Sequence, residues 1–512
     1  MDHVLNPWLV ANDGYSVLGI CALLLVFAAA YLVSLAVYRI WFHPLSVFPG
    51  PPLLAAFYAP YVYHNYLRGT WTVQTVGKLH RRYGNVVRIG PNHLAVDGAV
   101  AWPQVYGHRR QGQQEFAKLA GVSVGENHSI TDAPLELHRR LRRHLGEAFR
   151  DSATAAHEPR FALHADLLLR RLEERADRAE VVNIVDWLTF DAFDTFGDFA
   201  LSEAFGCLDK ADYHPWVLEI GQGIRGMSTR RAYQCYPVLG LIADSFSVKR
   251  QAQHLWDFRK SVRAVAAELT EQKKDAIDGK QDLLTHMMQK RHGVDAMSMP
   301  EIMENIPIFV LAGSETNANS LCGFFFHVLQ HPNVYETLTR EIRTAFKAEE
   351  DISFRSVPRL EYMQAAINEA LRIYPPGAEL PARTSPGTCI EGKYVPEGAR
   401  ISVHQYSTFR NPEHFVDPES FIPERWLSKE HPLYDARFRD ENKAVFKPFS
   451  AGPRDCMGKA LAMHHLRYTI ARILYRLDMT PCPGQEGWQE DQTVRLSWVK
   501  GPLYVRLRRC AA

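Results

Sequence analysis

A mainly α-helical fold with a minor β region, preceded by one N-terminal transmembrane helix, is what these 512 residues predict. Three observations carry that prediction. Leu18 to Val37 is almost wholly apolar; a long segment from Pro300 to about Gln330 reads as a helix; and the strand-like runs are short and scattered. Charge excludes some functions, since 59 Lys+Arg against 57 Asp+Glu leaves no basic tail for nucleic acid and no polyacidic partner surface. Eight cysteines without a C-x-x-C pair argue against a disulfide framework or a zinc site and for reduced, cytosolic thiols.

The N-terminal run comes first in the chain. Twenty helical residues span about 30 Å, one hydrocarbon core, and no Asp, Glu, Lys or Arg lies between Asp13 and Arg39. A cleaved signal peptide is the competing reading, but the run is long and lacks a basic segment ahead of it. Asp2 and Asp13 before it and Arg39 after it place the bulk of the chain on the cytosolic side. Residues 1–40 are therefore read as a single-pass anchor. Residues 41–52, with Pro44, Pro49, Pro51 and Pro52, are read as an extended hinge, because proline blocks helix continuation. Residues 53–512 are read as one catalytic domain, although length alone would allow about three. Within it, Asp166 to Ala176 reads as a helix with an apolar stripe of Leu167, Leu168, Leu169 and Leu172. Val86 to Ile89 and Ile401 to Val403 read as strands of a minor sheet, and Glu271 to Gln281 as an exposed loop.

The chemistry starts in the run Phe449-Ser450-Ala451-Gly452-Pro453-Arg454-Asp455-Cys456-Met457-Gly458. A lone cysteine is more often a buried, inert thiol. This run, however, resembles the haem-binding signature F-x-x-G-x-R-x-C-x-G of the cytochrome P450 family and matches all five fixed positions. The resemblance implies the P450 fold, haem (iron protoporphyrin IX) as cofactor, O2 as co-substrate and Cys456 as the axial thiolate. A thiolate ligand favours O–O bond cleavage, the hard step in oxidising an unactivated C–H bond. In this setting Phe449 shields the sulfur, Gly452 permits a tight turn, Arg454 pairs with a haem propionate, and Gly458 lets the next helix start close to the porphyrin.

Three further motifs stand upstream in the order the family requires. In Ala312-Gly313-Ser314-Glu315-Thr316, Gly313 weakens a helix, and an acid, Glu315, stands next to an alcohol, Thr316. The resemblance implies a helical distortion there that opens a groove for O2, with Glu315 and Thr316 as proton relay. Taken singly, a helical Thr often bonds its own backbone and a Glu often faces solvent. Glu369 and Arg372 are three apart on one helix face, and by resemblance they join Arg425 of Pro423-Glu424-Arg425-Trp426 in a buried charge network that serves the fold. In His138-Arg139-Arg140-Leu141-Arg142 a His stands where the family commonly has Trp; Arg142, His138 and Arg383 are candidates for the propionates. Arg139, Arg140 and Arg143 are either a solvated face or a basic surface for an acidic electron donor.

Gly221-Gln222-Gly223-Ile224-Arg225-Gly226 fits G-x-G-x-x-G, but no strand leads into it and no clean helix comes after it, so a nicotinamide site is not expected there. With 56 residues after Cys456, a fused flavin domain is not expected either. Electrons then come from another protein, and by resemblance to microsomal members that partner is NADPH-cytochrome P450 reductase, with the chain held at the endoplasmic reticulum membrane.

The implied activity is insertion of one oxygen atom into a small lipophilic substrate, by hydroxylation or epoxidation. The motif wording resembles fungal secondary-metabolism members, whose substrates are polyketide, terpenoid or indole-type. Phe116, Ile306, Phe309, Val310, Ala312 and Leu380 are expected to line the substrate pocket, and Glu379 to anchor a substrate hydroxyl or amine unless it is solvated or bonded to backbone. Two other classes remain open: a haem-thiolate isomerase or dehydratase that needs no O2, and a non-catalytic membrane haem protein. The adjacent Glu315 and Thr316 favour oxygen activation over both.

Overall fold

The apolar N-terminal run folds as one helix, Val17–Val37, that widens into a π-type turn over Tyr38–Phe42, where His43 N donates to Tyr38 O at 2.9 Å. Its side chains are largely exposed, and it is long and apolar enough to cross a membrane. The computed structural model describes residues 17–110, 112–119, 129–218, 231–236, 260, 264, 267–268, 282–290 and 295–510. The G-x-G-x-x-G run at 221–226 and the expected loop at 271–281 lie outside them.

The proline-rich stretch corrects the expectation of an extended hinge. Pro44–Val47 forms a 3-10 turn whose Leu45 is fully buried, and Pro52–Ala56 is already helical. Proline is compatible with a first helical turn, where its missing N–H costs nothing, so the prolines start short helices as well as stop them. The stretch and its flanks are also tied to the domain by hydrogen bonds: Arg88 N donates to Pro49 O at 2.8 Å, Arg88 Nη1 to Arg39 O at 2.7 Å, and Arg39 Nη1 to Ala56 O at 2.7 Å.

The centre of the domain is the helix Met299–Gln330, 32 residues and about 48 Å long at 1.5 Å per residue. A capping box starts it, with Glu301 accepting from Ser298 N at 2.8 Å. It runs as α-helix through Gly313, so the expected distortion is not built into this conformation. Gly313 instead provides room: a Cβ there would stand 2.5 Å from the Phe196 ring. Around it pack Ile184–Leu201, Glu361–Ile373 and Lys459–Arg476. The expected helix at 166–176 falls inside Glu158–Asp177, with Leu168, Leu169 and Leu172 buried.

A five-stranded sheet flanks the helices in the order Val86–Gly90, His93–Val96, Arg400–Ser402, Arg383–Thr384, Ala117–Lys118. Only the His93–Val96 and Arg400–Ser402 pair is parallel. The last two strands in this order meet with Lys118 directly opposite Arg383.

Glu369 organises the far side of the Glu361–Ile373 helix. Its carboxylate accepts from Arg372 Nη2 (2.8 Å) and Nε (2.9 Å), Arg425 Nε (3.1 Å), Trp426 Nε1 (2.8 Å) and Ile422 N (2.9 Å). The side chains of Glu369, Arg372, Arg425 and Glu441 are wholly buried, and Arg425 also contacts Glu441. Burial alone would raise the Glu369 carboxyl, but the Arg372 and Arg425 guanidiniums outweigh it and hold the carboxyl below its ordinary value.

Candidate active site

The cysteine loop is shaped by local bonds. Ser450 N donates to Lys447 O at 2.8 Å, Asp455 N to Gly452 O at 3.0 Å, and Cys456 N to Phe449 O at 2.9 Å. Gly452 sits at φ +77°, and a Cβ on it would stand 1.8 Å from Tyr106 O, so only glycine lets the loop close on the Trp102–Tyr106 turn. Gly458 immediately precedes the helix Lys459–Arg476, and Ala462 N donates back to its carbonyl at 2.8 Å.

Cys456 opens into a cavity of about 440 Å³. One wall is the loop and the helix after it: Phe449, Cys456, Met457, Gly458, Leu461 and Ala462. The facing wall is the stripe Phe309, Ala312, Gly313, Thr316, Ser320 of the long helix, with Asn317 at its edge. These positions are three, four and seven apart, one face of a helix. Phe149, Phe196, Phe199 and Leu380 add apolar surface, with Phe149 stacked on Phe309 at 5.5 Å.

Basic side chains converge at one end. Lys118, His138, Arg142, Arg383 and Arg454 all line the cavity. Arg142 donates to Asp455 O at 2.7 Å and contacts its carboxylate; Arg454 donates to Glu115 at 2.7 Å and to Ala133 O at 3.0 Å. Arg383 lies 4.8 Å over the Tyr106 ring. Asp455 and Glu115 bond to this group and Asp132 acts on Lys118, which leaves fewer carboxylates than basic side chains. Burial, then the Arg383 and Arg454 guanidiniums, lower the Lys118 ammonium to about 7. Burial, then Arg454, Lys118 and Arg142, lower the His138 imidazole to about 3. Like charges directly opposite across a strand pair, as Lys118 and Arg383 are, repel unless an anion lies between them. Arg454 Nη1 is buried without a partner among the described residues, which leaves a donor aimed at such an anion.

The site therefore fits iron protoporphyrin IX on three grounds: a thiol at one wall, a cavity between that loop and a helix stripe that includes Ala312, Gly313, Thr316 and Ser320, and a basic end suited to two propionates. Burial pushes the Cys456 thiol above its ordinary value, and coordination to a metal cation is what deprotonates such a group. Lys118 was not singled out by the sequence; its only signal was a basic residue in an apolar setting after Phe116.

Several expected residues lie elsewhere. Glu315 points away from the cavity, since residues adjacent on a helix are about 100° apart and Thr316 takes the cavity side. Its carboxylate pairs with Lys500 Nζ at 3.1 Å and accepts from Ser497 Oγ at 3.2 Å. Thr316 Oγ1 donates to Ala312 O at 2.6 Å. Ile306 and Val310 are fully buried among core side chains rather than at the cavity, again a matter of helix face. Phe116 lines a neighbouring groove of about 560 Å³ that shares His138, Arg142, Arg383 and Arg454 with the cavity, and not the cavity itself. Glu379 is also outside the lining: it accepts from Asn65 Nδ2 and Thr72 Oγ1, both at 3.4 Å, and burial raises its carboxyl.

Residues 51–507 match the cytochrome P450 family. The chain is 34% identical to the cytochrome P450 monooxygenase astA of Talaromyces wortmannii, over 96% of this chain and 97% of the relative. It is 36% identical to the cytochrome P450 monooxygenase olcB of Penicillium canescens (93% and 96%) and 34% identical to a trichothecene C-15 hydroxylase of Fusarium sporotrichioides (93% and 96%). A thiol, a helix stripe and a cationic rim that fit a haem, and a match spanning nearly the whole chain, lead to one conclusion: the protein belongs to the cytochrome P450 family and is a haem-dependent monooxygenase.

Proposed function

We propose that the chain is a membrane-anchored monooxygenase of fungal secondary metabolism that draws electrons from NADPH-cytochrome P450 reductase and hydroxylates or epoxidises a small lipophilic polyketide, terpenoid or indole-type substrate. The observation that carries this reading is the single cavity onto which Cys456 and Thr316 both open, walled by Phe149, Phe196, Phe199, Phe309 and Leu380. Bound there, haem supplies the activation of O2. Cys456 provides the thiolate; Arg142, His138, Arg383 and Arg454 hold the propionates, with Lys118 beside them. The aromatic wall orients an apolar substrate and excludes water. Thr316 holds a proton at Oγ1 on the cavity side, and Glu315, about 100° round the helix, takes up a proton from water and passes it on once its carboxylate leaves Lys500.

Residues 1–40 act as anchor and 41–52 as connector to the catalytic domain 53–512, which faces the cytosol at the endoplasmic reticulum membrane. An acidic electron donor finds cations in the groove lined by Arg109, Arg110, Arg139 and Arg143. Arg139 is paired with Glu136 at 2.7 Å and Arg140 contacts Glu301, which leaves Arg109, Arg110 and Arg143 as the freer charges. The relatives' names support small-molecule oxidation. Incubating the enzyme with reductase, NADPH and candidate pathway intermediates should yield a product heavier by one oxygen atom, and that oxygen should come from O2. Product formed without reductase would favour a haem-thiolate isomerase or dehydratase instead.

A further inference from the structure

Three side chains on the cavity stretch of the long helix donate to main-chain carbonyls one turn back. Thr316 Oγ1 donates to Ala312 O at 2.6 Å, Asn317 Nδ2 to Gly313 O at 2.7 Å, and Ser320 Oγ to Thr316 O at 2.8 Å. In a continuous α-helix Gly313 O already accepts from the main-chain N–H of residue 317. It therefore has two donors, one of which the helix can lose.

The surroundings hold that second donor in place. Asn317 is buried, and its Oδ1 lies 3.4 Å from His465 Nδ1, while His465 Nε2 lies 2.9 Å from Asp191 Oδ2. His465 and Asp191 side chains are 2% and 1% exposed. The Phe196 ring packs on both Gly313 and His465, the latter at 5.3 Å. The helix Ile184–Leu201, the helix that leaves the cysteine loop and the long helix thus meet at one turn, 313–317.

We propose that Asn317, oriented by His465 and Asp191, is a positioning residue that lets the long helix open at Gly313. When the 317-to-313 main-chain bond breaks, Nδ2 keeps the Gly313 carbonyl satisfied, so the cavity-side groove next to Thr316 forms without a buried bare acceptor. The same turn carries Thr316 and Ser320, whose hydroxyl bonds to carbonyls four residues back are of the type that bends helices. The proposal deepens the monooxygenase reading above and rests on it for its purpose, but its test requires neither substrate nor reductase.

The test is amide hydrogen exchange of residues 312–320 in the haem-loaded protein, with haem content checked by the reduced carbon monoxide spectrum. In Asn317→Leu the closed helix keeps its main-chain bond, whereas the open helix leaves Gly313 O unpaired. Exchange at 316–317 should therefore slow by about fivefold, the size of one hydrogen bond. Asn317→Ser, whose hydroxyl can reach the same carbonyl as Thr316 and Ser320 reach theirs, should restore the wild-type rate. If Asn317→Leu does not retain haem, Asn317→Ala takes its place with the same expectation. Faster exchange in the leucine or alanine variant, the result of merely lost packing, overturns the proposal. So does an unchanged rate, or a serine variant that behaves like leucine. Failure of wild-type enzyme to add oxygen to any substrate would count against the function and leave the exchange result standing.

Discussion

Replacing Glu369 by Gln keeps the side-chain volume and removes one charge from a wholly buried set of two carboxylates, Glu369 and Glu441, and two guanidiniums, Arg372 and Arg425. Five donors converge on the Glu369 oxygens. The amide offers one accepting oxygen and points an NH2 at groups that can only donate. Breaking a buried pair in this way costs about 3–5 kcal/mol, because a charge is left uncompensated. At about 2.1 cal/mol/K per residue the unfolding entropy of a chain of this size is about 1 kcal/mol/K, so the thermal midpoint should fall by about 3–5 °C. Removing Arg372 as well will not rescue it, since Arg372 also donates to the carbonyls of Phe409 (2.8 Å), Pro418 (2.7 Å) and Ser420 (2.9 Å). The sign of the pH effect comes from the lowered carboxyl: the Glu369 contribution is complete above its ordinary value, near pH 4.5, and is lost as pH falls toward the folded value. The assay is thermal unfolding of the haem-loaded protein from pH 7 down to 4, wild type against Glu369→Gln. A midpoint within one degree of wild type at pH 7, about 1 kcal/mol on the same scale, would refute the reasoning.

Three other outcomes are expected. Cys456→Ala should abolish the red-shifted Soret band of the reduced carbon monoxide complex; an unchanged band would disprove the ligand assignment. Thr316→Ala should keep haem and substrate binding yet lower product formed per NADPH, with peroxide released, by about a hundredfold at most, because a water can take the place of the hydroxyl; wild-type coupling there would place proton delivery on other groups. Deleting residues 1–37 should shift protein from membrane to soluble fraction with haem bound, whereas deletion through Arg39 should also lower stability, since Arg39 O accepts from buried Arg88 and Arg39 Nη1 donates to Ala56 O; equal thermal midpoints for the two truncations would contradict that.

What the sequence determined by itself is what short stretches of chain decide. The loop from Phe449 to Gly458 is closed by bonds within its own residues and by a positive φ at Gly452, so its spacing is readable without the rest of the fold. The apolar run at 18–37 and the long helix from 300 come from length and composition. Helical periodicity also implies that Ala312 and Thr316 share a face and that Glu315 and Thr316 do not. It cannot supply the absolute phase. Which face meets the cavity was decided by tertiary packing, with Phe196 against Gly313 and Lys500, 185 residues on, holding Glu315 away from it. The same holds for Ile306 and Val310, apolar residues equally suited to a pocket or a core, which the packing assigned to the core. Glu379 found Asn65 and Thr72 more than 300 residues away, and Lys118 became part of the cationic rim only because its strand pairs with that of Arg383. Local patterns fix relative position along the chain; the identity of distant neighbours, and hence the charge and polarity of a buried site, is settled only when the elements pack.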